Sequence, residues 1–164
     1  RPHNVIGIRQ NIWDKYRNVI GIWIRRALRN ESICIFGDGK QERAFSDIKF
    51  CLEPFEKLMF DYGGEVFNLG CPKQYPLNEV AETLVGVAKE FGFNPVIEHL
   101  EQRHGEAKYA YCNHEKAEQL LGFKDETNLA ETMREMFVWA MKQEDKEVKP
   151  MDYEINKGMY SYWR

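Results

Sequence analysis

Long apolar runs are missing from this chain. The longest, residues 19–24, stops at Arg25 and Arg26, well short of the roughly 20 residues a membrane-spanning helix requires. Arg1-Pro2-His3 opens no basic, apolar and small-residue leader, which predicts a protein without a secretory signal. An excess of basic charge is also missing. Lys+Arg number 23 against 26 Asp+Glu, for a net charge of -3, and this excludes the broad positive face that nucleic acid needs. A small anion held by a few arginines stays open. Cysteine is sparse and scattered. Cys34, Cys51, Cys71 and Cys112 form no C-x-x-C pair, so neither a zinc site nor a thioredoxin-like motif is indicated. They predict reduced thiols of a cytoplasmic protein, with Cys34 and Cys51 in the core because each lies in an apolar run. His3, His99, His104 and His114 have no metal-ligand spacing such as H-E-x-x-H. No internal repeat is present, and spacing reveals no Ser/His/Asp or Cys/His constellation.

What is there is a globular balance over 164 residues, with 43% hydrophobic and 30% charged residues. A chain of this length can bury roughly 70% of its unfolded surface in one core. After a strand tail at Val5-Ile6, the residues Val19, Ile20, Trp23, Ile24, Ala27 and Leu28 recur at helical spacing behind Asn18, a plausible N-cap. Residues 32–36 read as a strand entering the Gly37-Asp38-Gly39 turn. Further helices are expected over 47–60 (kinked or started late by Pro54), 78–91, 114–121 and 129–142, and further strands over 65–69 and 96–100. The pattern is α/β with few short strands for several helices, as in a small lobe attached to something larger. It divides into a domain over 1–142 and a charged linker with an aromatic-rich tail over 143–164.

Two glycines directly after a strand suggest a dinucleotide loop, but position 42 is Glu where a third glycine belongs, and no helix opens there. The alternatives are a plain turn, or a loop that presents Arg43 to a phosphate, since a guanidinium offers paired planar donors. Arg103, in the polar loop after the 96–100 strand, raises the same possibility. Tyr153 and Lys157 have the spacing of a proton-transfer pair, but they sit in a tail between Pro150 and Gly158 and are read as coincidence.

In order, RPHNVIGIRQN, YRNVIGIWI, IFGDGKQERAF, EVFNLG, RHGEAKYAY and the final Tyr162-Trp163 resemble the C-terminal half of NAD-dependent epimerase/dehydratase enzymes of the extended short-chain dehydrogenase type. The likeness is greatest to those that act on UDP-glucose, and it covers essentially the whole chain. It implies a nucleotide-sugar-binding lobe without most of the Rossmann domain. Asn4 would touch the substrate diphosphate, and the Asn18-Val19 helix start would offer it backbone N–H groups. The strand from Cys34 to Phe36 would lie against the base. Arg43 and Arg103 would grip the diphosphate, and Glu106 would accept from a ribose hydroxyl. NAD is implied for the complete enzyme and none for this chain alone. The cofactor loop and catalytic tyrosine would lie upstream, leaving this portion inactive by itself. The cofactor-binding half is the implied partner, and self-association is expected through an uncovered apolar face formed by Val5, Ile6 and part of the first helix. The sequence departs from the family pattern at Asp47, usually aromatic, and at Lys49-Phe50, usually acidic, which questions the packing beneath Arg43. A stand-alone, non-catalytic binding module and a ligand-free remnant are the competing readings.

Overall fold

A computed structural model describes residues 1–14, 16 and 18–147; the Tyr153/Lys157 pair and most of the expected tail fall outside the described residues. The main core is helical. Helix α1, Val19–Leu28, turns Ile20, Trp23, Ile24 and Ala27 inward and ends with Arg25 and Arg26 in its last turn, where positive charge suits the helix dipole. Helix α3, Leu77–Glu90, supplies Val80, Ala81, Leu84, Val87 and Ala88. Helix α5, Leu129–Ala140, supplies Leu129, Met133, Met136, Phe137 and Ala140. Their stripes meet each other and strand β2, Ile33–Phe36, in one cluster. Phe137 anchors it, stacked on Phe91 at 5.7 Å and edge-on to Phe93 at 5.6 Å.

A smaller cluster of Cys51, Phe67, Leu69, Ala117, Leu121 and Phe123 joins helix α2, Ile48–Phe60, to helix α4, Glu115–Leu121. Helix α4 closes on Gly122, whose φ of 67° is the left-handed cap that glycine adopts without strain.

Among the described residues the strands form three small sheets. Strand β1, Val5–Ile6, runs parallel to β4, Ser46–Asp47. Strand β2 runs parallel to β6, Ile97–Leu100, with Ile33 opposite Ile97. Strand β3, Glu42–Ala44, lies between β5, Gln74–Pro76, which is antiparallel to it, and β7, Tyr109–Ala110, which is parallel. The architecture is the expected α/β set of short strands and several helices, and three local expectations need correction. Residues 65–69 do not form a strand. Only Leu69 bridges to Pro2, and Val66 stays exposed, because no partner runs alongside the whole segment. Arg43 stands on strand β3 and not on a loop, held from both sides by β5 and β7. Pro54 does not delay the start of α2, which begins at Ile48 with the proline buried inside it.

Asp47 resolves the question raised by the departures beneath Arg43. Its side chain caps α2 by accepting from the Lys49 backbone N–H at 3.0 Å, and its second oxygen accepts from the Thr132 hydroxyl at 2.8 Å. The Asp47 backbone N–H donates to Thr127 Oγ1 at 2.7 Å. One buried aspartate thus ties α2 to α5. Lys49 completes the arrangement, its ammonium 3.3 Å from the same carboxylate.

All four cysteines are free thiols, with Cys34, Cys51 and Cys71 buried and Cys112 half-buried. Burial pushes the Cys51 thiol up to about 11, helped by the negative charges of Asp125 and Asp47. A raised folded pKa means that the folded state keeps its proton where the unfolded state, near 9.0, loses it. Stability linked to this group is therefore full below pH 9 and declines as pH rises toward 11. A thiol reagent at pH 8 is expected to modify Cys112 first in the native protein and all four after unfolding. Rapid native labelling of Cys51 would contradict this packing.

Candidate functional site

Among the described residues strand β2 has a strand partner, β6, on one edge only, and its other edge faces a cleft. That edge is organised by side chains. The Trp23 indole N–H donates to the Cys34 carbonyl at 2.9 Å, and Gln41 Nε2 donates to the Phe36 carbonyl at 2.8 Å. Each of these two carbonyls thus already accepts one hydrogen bond from within the protein. The cleft beside this edge is lined by Val19, Trp23, Cys34, Phe36, Leu77 and Arg103. On the far side of Phe36 lies a polar cleft of about 400 Å³ that shares Phe36 and Gln41 with the first and adds Asp38, Lys40, Glu106 and Lys108.

Arginines from two elements meet here. Arg43 projects from β3, and Arg103 from the turn after β6. Arg103 Nη2 donates to Glu106 Oε1 at 2.6 Å, and Arg43 Nη2 reaches the same oxygen at 3.4 Å. The Arg103 guanidinium also rests over the Phe36 ring, 4.6 Å from its centroid. Burial lowers the Arg43 pKa and Arg103 adds repulsion, while Glu106 opposes both. The result is a compact charge cluster against an aromatic floor, which is chemistry suited to an anion carrying a planar group.

The other candidates take different places. Val19, at the first turn of α1, lines the same cleft as Cys34, Phe36 and Arg103. Asn18 precedes it in a left-handed conformation, φ 59°, and makes no side-chain cap bond, so the expected capping interaction is not formed. Asn4 donates to the Ala44 carbonyl at 3.0 Å, next to Arg43 in β3, and is tied to the cluster through that strand. Gln41, Trp23 and Lys108 also line these clefts and were not among the site residues expected from sequence. Gln41 sits in the quoted turn motif, but nothing in spacing marks a glutamine as buried at 8% exposure.

The Gly37/Gly39 turn does not fit a dinucleotide. It leads into strand β3 where a phosphate-binding loop would open a helix. Gly39 has φ +72°, and a Cβ there would fall 1.8 Å from Asn78 Oδ1, so the glycine admits the start of α3 and not a cofactor. Among the described residues no helix is long and apolar enough to cross a membrane, and no His, Cys, Asp or Glu group could hold a metal. A more apolar cleft of about 370 Å³, lined by Trp13, Arg25, Arg29 and Asp145, lies elsewhere. Its arginines are already paired with Asp145.

No protein-family model matches the chain. A Methanocaldococcus jannaschii protein provisionally named UDP-glucose 4-epimerase is 32% identical over 139 residues, covering 85% of this chain and 44% of that protein. The UDP-N-acetylglucosamine 4-epimerase of Methanobrevibacter ruminantium, solved with UDP-N-acetylmuramic acid, superposes with a TM-score of 0.75 at 30% identity over 88% of this chain and 46% of that one. A Bacillus cereus UDP-glucuronic acid 4-epimerase, solved with UDP-glucuronic acid and NAD, gives a TM-score of 0.73 at 23% identity over 87% of this chain and 44% of that one, a likeness of fold alone. The chain spans a little under half the length of these proteins. Its relatives in sequence and in fold are thus extended short-chain dehydrogenases of the UDP-glucose 4-epimerase and UDP-glucuronic acid decarboxylase type, each matched over part of its length.

Proposed function

We propose that this chain binds the nucleoside-diphosphate end of a UDP-sugar and forms the substrate-binding, C-terminal portion of an NAD-dependent sugar 4-epimerase. The observation that carries the reading is the convergence of Arg43 and Arg103 on Glu106 beside Phe36. A diphosphate places two negative charges close together and needs several fixed donors, which two guanidiniums from separate elements provide. The helix start at Val19 adds the positive end of the α1 dipole along the same cleft. Binding at this end fixes the sugar's position, so the lobe contributes orientation to the reaction while other residues would carry out the chemistry. NAD would supply hydride transfer in the complete enzyme, held by residues outside this lobe. Calorimetric titration of UDP tests the reading, with saturable binding expected.

The cofactor-binding half would cover an apolar face, and the exposed face differs in location from the one anticipated. Ile6 is buried, as are Ile20, Trp23 and Ile24 of α1, because the helical core already uses them. The uncovered apolar side chains are on α2, where Leu52 is 58%, Met59 72% and Phe60 80% exposed, with Phe55 completing a stripe with Leu52 and Met59 at helical spacing. Ile8, just beyond the β1 end, is also exposed. An exposed apolar stripe on a helix favours association. The isolated chain is expected to self-associate and to bind an apolar fluorescent dye. The paired substitution Met59→Lys and Phe60→Ser should reduce both, as read by sedimentation velocity and dye fluorescence. Unchanged dye binding in that variant would place the sticky surface elsewhere.

A further inference from the structure

Glu106 already occupies both arginines. Its Oε1 accepts from Arg103 Nη2 at 2.6 Å and from Arg43 Nη2 at 3.4 Å, and its Oε2 lies 3.4 Å from Arg103 Nε. The Glu106 side chain is only 7% exposed and that of Arg43 16%, so water screens this pairing far less than it would on an open surface. We propose that Glu106 is an internal competitor for the ligand's phosphates, making the cleft discriminate against anions that bring phosphate alone. The inference rests on the reading of the cleft as a nucleoside-diphosphate site.

The argument is one of charge and replacement. A phosphate that takes the guanidiniums lies close to the Glu106 carboxylate and is repelled by it. As the arginines turn toward the newcomer, the nearly buried carboxylate also loses donors, and an under-bonded buried charge is costly. A ligand that carries hydroxyl donors beside its phosphate, as a ribose does, can return hydrogen bonds to Glu106 and offset that loss. Inorganic pyrophosphate cannot. Glu106 would thus be a positioning and selectivity residue whose effect has opposite signs for the two ligands.

Calorimetric titration of UDP and of inorganic pyrophosphate, in metal-free buffer at low ionic strength, into the whole chain and its Glu106→Gln variant separates these effects. Pyrophosphate is expected to bind the variant about tenfold tighter than the wild type, the scale of one charge-assisted hydrogen bond, while UDP binds the variant more weakly than the wild type, so the preference for UDP collapses. Glu106→Ser, which removes the carboxylate without adding an amide, repeats the test should Glu106→Gln unfold. Equal or weaker pyrophosphate binding in a folded variant overturns the inference. UDP binding to the wild type judges the reading of the cleft, and the change in pyrophosphate affinity judges Glu106, whichever way the first result falls.

Discussion

Asp47→Ala is expected to destabilise the fold by roughly 2–4 kcal/mol, the sum of a lost helix cap and a hydroxyl left buried without its acceptor. Asp47 is 3% exposed, and its two carboxylate oxygens serve the Lys49 backbone N–H and the Thr132 hydroxyl. Thr132 is itself 1% exposed, so water cannot readily replace the lost partner. Asp47→Asn keeps a capping oxygen and should cost less than Asp47→Ala. Thr132→Val removes the hydroxyl that would otherwise be stranded, so the double variant Asp47→Ala/Thr132→Val should be less destabilised than the sum of its parts. Urea unfolding followed by circular dichroism measures all four. Additive losses would mean that the Asp47–Thr132 bond does not couple α2 to α5.

The second large effect falls on the cleft. Arg103→Ala should weaken UDP binding by roughly 1.5–3 kcal/mol, the worth of a hydrogen bond to a charged group, and Arg43→Ala should do so on the same scale. Arg103 is expected to be the more sensitive of the two, since its guanidinium also lies over the Phe36 ring and its removal uncovers that surface. Arg43→Lys keeps the charge but loses the planar fork, and should recover only part of the affinity. In each case the loss should shrink as salt rises, because screening weakens the wild-type interaction. A loss independent of ionic strength would point to altered packing in place of lost charge.

The helices were legible because their apolar residues repeat at helical spacing: the Ile20, Trp23, Ile24, Ala27 stripe of α1 and the Met133, Met136, Phe137, Ala140 stripe of α5 are the ones the structure buries. Short strands were less so. Glu42–Ala44 is too polar to signal a strand, and its pairing is imposed by distant β5 and β7. Conversely, residues 65–69 look like a strand, yet residues 1–3 accompany only their last part, through the Pro2–Leu69 bridge, and Val66 faces solvent. Arg43, Arg103 and Glu106 were found through family resemblance and the geometry of a guanidinium, and they do meet. Asp47 was read as a departure from pattern when it is a buried cap, since a side chain's partner across 85 positions leaves no local mark. The exposed face was misplaced for a related reason: periodicity identifies an apolar stripe, but only packing decides which stripe is used, and the main core took the α1 stripe while Leu52, Phe55 and Met59 of α2 stayed exposed.

Titration of UDP into the chain at low salt, with the Arg43→Ala/Arg103→Ala variant alongside, tests the central claim most directly. On the proposed reading, residues outside this lobe would complete the site, so wild-type binding is expected to be about millimolar, near 4 kcal/mol. It should weaken with added salt and vanish in the double variant while that variant unfolds as the wild type does. Salt-insensitive binding, or equal affinity in the double variant, would contradict the assignment of this cleft to a nucleoside diphosphate.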